Sequence, residues 1–140
     1  MSQPLPYLTV SPDEQVTRFL VESRWFSQKT NHVSAQAFKP RNPKPPETVF
    51  KTSVYRTDGC STEEIWSIGE DYVTKNRSDG RKVLARAEIS TETILSESLN
   101  LTPAPTPHPR HADITAWPDQ PEKRLEKANQ LALTAQLFIP

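Results

Sequence analysis

Fourteen prolines against three glycines in 140 residues constrain this chain more than any other feature. Proline fixes φ and donates no backbone hydrogen bond, so it stays out of helix interiors and central strands. Two clusters stand out: Pro40, Pro43, Pro45 and Pro46, then Pro103, Pro105, Pro107 and Pro109. Residues 39–47 and 102–109 therefore read as extended proline-rich loops, with regular elements before, between and after them. So few glycines also argue against a glycine-rich phosphate loop or a dinucleotide-binding turn.

Between these loops the hydrophobic period alternates between helix and strand. Ser11-Pro12-Asp13-Glu14 has the form of a helix start, with a capping hydroxyl, proline at the first position and Glu three residues after the cap. Val16, Phe19 and Leu20 follow at helical spacing, which predicts a helix over 12–26. The same grammar at Ser61-Thr62-Glu63-Glu64, followed by Ile65, Ile68 and Tyr72, predicts a second helix over 62–74. Pro121 and Glu122 open a third, with Leu125, Ala128, Ala132 and Ala135 in one stripe. Period-two alternation predicts strands over 32–38, 48–56, 82–90 and 110–117.

The order α-β-β-α-β-β-α predicts one α+β domain over 1–140. Its roughly four-stranded, mostly antiparallel sheet has about three helices on one face and the other face uncovered. Residues 1–10 are expected to form a flexible N-terminus. The start of the chain has no basic, apolar leader pattern, no segment is apolar enough to span a bilayer, and Cys60 has no cysteine to pair with. A cytoplasmic location is the expectation. Seventeen basic residues balance seventeen acidic ones, which argues against a polybasic membrane binder or a dedicated DNA-wrapping protein.

No complete catalytic motif is written in the chain, and neither a metal nor a cofactor is expected. The sharpest candidates are His111, Asp113 and Thr115, which alternate on one face of a single predicted strand. Imidazole serves as acid or base near neutral pH, and residues two apart on a strand can line one pocket floor. On another predicted strand, His32-Val33-Ser34 has the same His-x-polar form. Together these tripeptides resemble the two-histidine phosphoesterases, and the resemblance implies paired imidazoles, His32 and His111, acting on a phosphate. It departs at the second tripeptide, where Asp113 stands in place of Ser or Thr. Arg56 and Arg86 interrupt apolar strands and read either as an anion site or as ion pairs, Arg86 with Glu88 or Glu64 and Arg56 with Asp58 or Asp113.

Basic and aromatic residues interleave early, with Arg18, Arg24, Trp25, Lys29, His32, Lys39, Arg41 and Lys44 all before residue 50. Trp117 is expected at a strand end on the same face as His111. The leading functional expectation is a small interaction module or accessory subunit. It would bind a protein, or itself, through the open sheet face, with Trp117, Lys39, Arg41 and Lys44 as contact residues. The first alternative is a small enzyme acting on a nucleotide or RNA phosphate, with His111 as acid or base, Asp113 and His32 beside it, and Arg56 and Arg86 holding the anion. The second alternative is RNA binding through the basic first half.

Overall fold

The computed structural model describes residues 9–75 and 77–140. The expected flexible segment 1–10 therefore falls mostly outside the described residues. The chain is α+β and built on a large antiparallel sheet, but that sheet has six strands and a separate two-stranded sheet accompanies it. The strands are β1 Gln15–Leu20, β2 Phe26–Ser27, β3 His32–Val33, β4 Thr52–Arg56, β5 Ala85–Ser90, β6 Asn100–Pro103, β7 His111–Thr115 and β8 Gln136–Phe138. The large sheet runs β6-β7-β4-β1-β5-β8, and β2 pairs with β3. The helices are α1 Thr62–Ile68, α2 Thr91–Ser96 and α3 Pro121–Thr134.

The segment 12–26, expected as a helix, holds the central strand instead. β1 has neighbours on both sides and cover on both faces, so Val16 and Leu20 are buried on one face and Thr17 and Phe19 on the other. Burial on both faces erases the period-two signature and leaves a spacing that imitates a helix. β-Branched Val16 and Thr17 suit the extended backbone. The capping grammar forms only a turn: Asp13 N donates to Ser11 Oγ and Ser11 N to Glu14 Oε2, each at 3.3 Å. The chain then enters β1.

Helices cover both faces of the sheet, not one as expected. On the first face, Leu131, Ala128 and Ala132 of α3 and Ile94 of α2 close over Val16, Leu20, Val54, Ala87 and Ile114. On the second, Ile65 and Ile68 of α1 pack on Phe19 and Tyr55. The Ser61–Glu64 capping box opens α1 as expected. After Ile68 the predicted continuous helix widens into a π-helical turn over Gly69–Thr74. Gly69 is required there by contact, because a Cβ would lie 2.7 Å from the Phe19 ring. The expected strand over 32–38 shortens to β3, followed by a single 3-10 turn over Ala35–Ala37. The short helix α2 had no place in the expected order.

Candidate functional site

The site is built where β4 meets β7, two strands far apart in sequence. Their register pairs Ser53 with Asp113 and Tyr55 with His111, so Ser53 and His111 are diagonal neighbours on one face. The Ser53 hydroxyl and His111 Nε2 lie 2.7 Å apart. The other ring nitrogen, Nδ1, lies 2.9 Å from the Ala104 carbonyl oxygen. A carbonyl oxygen only accepts, so the neutral ring carries its proton on Nδ1, and Nε2 accepts from the Ser53 hydroxyl. Asp113 Oδ1 stands 3.8 Å from the same Nε2. This is the local geometry of a hydroxyl nucleophile and its base, with a backbone carbonyl fixing the tautomer.

The second proline-rich loop supplies that carbonyl. Ala104 N donates to the His111 carbonyl at 3.0 Å, so backbone and side chain tie the loop to β7 together. The Tyr55 ring stands edge-on to His111 with centroids 5.3 Å apart and walls the imidazole on the sheet side. Burial pushes the Tyr55 phenol above its usual range, which keeps that wall uncharged.

A cleft of about 560 Å³ opens over Ser53, His111 and Asp113. Four cations line it, Arg18, Lys39, Arg41 and Lys51, against the single carboxylate of Asp113. The first proline loop brings three of them together, because Arg41 N donates to the Lys51 carbonyl at 3.0 Å and joins the loop to the chain just before β4. Glu47 lies 3.7 Å from Lys51 and 3.9 Å from Arg41, which is loose pairing on an exposed rim.

Arg18 is placed differently. The β1–β4 ladder pairs Val16 with Arg56 and Thr17 with Tyr55. One residue further on, the Arg18 guanidinium donates to the Ser53 carbonyl at 3.0 Å and to the Ala37 carbonyl at 2.8 Å, and it lies over the Trp25 ring. Among the described residues no carboxylate pairs with it. Burial and the neighbouring Arg77 lower its pKa to about 10, so it stays charged at neutral pH. A partly desolvated cation therefore sits against the backbone of Ser53.

The structure keeps His111, Asp113 and Thr115 on one face of β7, but only the first two line the cleft. Thr115 instead shares a 2.9 Å hydroxyl–hydroxyl contact with Thr102. His32 is exposed in the two-stranded sheet and outside the cleft, so the paired imidazoles implied by the phosphoesterase resemblance do not form.

Arg56 and Arg86 are not in the cleft either. Arg56 Nη2 donates to Glu14 Oε2 at 3.0 Å, in a pair only 1% and 7% exposed, and not to Asp58 or Asp113. Arg86 bonds to Glu88 and lies against the Trp66 and Phe138 rings. Both arginines are therefore already neutralised.

Trp117 is buried, because Ala116 takes a left-handed backbone (φ 66) that breaks the alternation and turns the indole into the core. Its Nε1 donates to the Ile114 carbonyl at 2.9 Å. Lys39 and Arg41 line the cleft, while Lys44 is exposed on the loop outside it. Sequence reasoning missed Ser53 and Lys51, and named Arg18 only among the basic residues of the first half. Ser53 stood in the right alternating row, but nothing in the sequence placed that row beside β7.

Among the described residues, no group of three or more His, Cys, Asp or Glu is placed to hold a metal ion, and no helix is long and apolar enough to cross a membrane. No family model matches this chain, and neither the curated proteins nor the solved structures gave a match.

Proposed function

We propose that this protein acts on a phosphate ester, a nucleotide or an RNA phosphate, bound in the cationic cleft, with His111 as its acid–base group. The observation that carries the reading is the Ser53–His111 hydrogen bond, 2.7 Å long, opening onto four cations and one carboxylate. Phosphate recognition needs fixed positive charge and donors, and a partly desolvated arginine beside the reacting group supplies both. The cleft volume suits a ligand of nucleotide size. Protein binding through an open sheet face fits less well. The proposed anchor Trp117 is in the core, α1 packs on that face, and two of the three basic contact residues line the cleft.

Isothermal titration with pyrophosphate tests the reading. One site should appear, its affinity falling steeply as salt is added. Lys51→Glu should weaken it at least tenfold, about 1.4 kcal/mol, without changing the melting temperature. Absence of binding at low salt, or equal affinity in the variant, would overturn the proposal. Saturation by single-stranded RNA, with pyrophosphate unable to displace it, would instead make the cleft a track for a polymer.

A further inference from the structure

A phosphate ester in the cleft would need one atom to attack phosphorus. Resting on that reading, we propose that the Ser53 hydroxyl is the nucleophile and that turnover passes through a phosphoserine at residue 53. His111 Nε2 accepts the Ser53 proton, and this nitrogen is free to do so because Nδ1 is committed to Ala104. A base whose job was to activate water would keep that lone pair toward the cleft. Here the lone pair is aimed at a side-chain oxygen of the chain itself.

The surroundings fit attack from this oxygen. Arg18 donates to the backbone carbonyl of the same residue at 3.0 Å and lines the same cleft, so a fixed positive charge stands beside Ser53. Asp113, 3.8 Å from Nε2, stabilises the imidazolium formed as the proton arrives. Ser53 and Arg18 also border a second hollow of about 220 Å³, lined further by Phe19, Tyr55, Tyr72 and Arg77. Ser53 thus borders two spaces, the cleft and this smaller hollow.

The steps balance. The Ser53 Oγ–P bond forms as the ester P–O bond breaks, and the serine proton passes through His111 to the leaving alkoxide, which departs as an alcohol. Water then attacks the phosphoserine phosphorus and gives a proton to Nε2. The P–Oγ bond breaks, Ser53 Oγ takes that proton back, and phosphate leaves. No oxidant, reductant or metal is consumed.

The test uses the full chain and diisopropyl fluorophosphate, a neutral reagent that needs no ionic attraction to enter the cleft. Attack forms Oγ–P, breaks P–F and releases fluoride, and intact mass followed by peptide mapping reads the result. One equivalent should appear on Ser53. Labelling should slow by roughly 10²–10⁴-fold in His111→Gln. Ser53→Ala should abolish the label while still binding pyrophosphate, which shows that the variant is folded.

Pyrophosphate binding without label on Ser53 overturns the nucleophile and leaves the phosphate reading standing. Label on Ser53 without pyrophosphate binding refutes phosphoryl transfer and makes the hydroxyl an acyl-type nucleophile. Label that persists unchanged in His111→Gln removes His111 as its base.

Discussion

Among single residues, buried charge shows most clearly what holds this fold. Glu14 and Arg56 form an ion pair with almost no exposure, and the Thr9 carbonyl accepts a further guanidinium hydrogen bond at 2.7 Å. Removing one partner strands the other charge, so Glu14→Ala should cost about 3–5 kcal/mol in denaturant unfolding. An unchanged midpoint would show the pair to be dispensable. A smaller effect of opposite sign belongs to Ser98, which ends α2 at φ 60 while Leu99 N donates to the Ile94 carbonyl. Only glycine takes that conformation without strain, so Ser98→Gly should raise stability by about 0.5–1 kcal/mol in the same assay. His108 sets a pH arm. Burial, with Arg110 and His111 nearby, holds its imidazole below the usual range, and its Nδ1 accepts from Arg110 N at 3.0 Å. The fold favours the neutral ring, so this contribution is full above the unfolded-state pKa and is lost as pH falls below about 6.5. His108→Asn should flatten that arm in melts from pH 8 to 5. An identical pH profile in the variant would assign the loss to other groups.

Among the elements, two similar sequence signals had different outcomes for a physical reason. Ser61–Glu64 and Ser11–Glu14 both present a hydroxyl, a first-turn acid and a following apolar row, and both make local capping hydrogen bonds. The first continues as α1 because Ile65 and Ile68 have one face to bury. The second continues as β1 because the sheet needs a strand there that is buried on both sides. Tertiary context decided between them, and no window of sequence contains that context. The close approach of the π-helical turn to β1 was equally hidden, although Gly69 marks its place. Gly69→Ala puts a methyl 2.7 Å from the Phe19 ring and should cost about 1–3 kcal/mol. A variant as stable as the parent would mean that the ring moves aside freely.

On the scale of the whole molecule, the α+β class, the third helix and the rows of β4, β5 and β7 were readable from periodicity, because each is a local pattern. The strand order was not. β4 lies between β1 and β7, and pairings that distant leave no local trace. The candidate site inherits that limit: His111 and Asp113 could be named from one strand, but Ser53 and Arg18 become partners only once three strands are laid side by side. The proline loops, legible as breaks, have a further role as placed walls, one carrying Ala104 to His111 and the other bringing Lys39 and Arg41 beside Lys51. Everything at the site turns on His111 holding its proton on Nδ1 and offering Nε2 to Ser53. Nitrogen-15 NMR of the imidazole, with and without pyrophosphate, tests it most directly. The expected result is the Nδ1-protonated tautomer in the free protein and a shift of Nε2 on addition of pyrophosphate. An Nε2-protonated ring, unmoved by pyrophosphate, would contradict it.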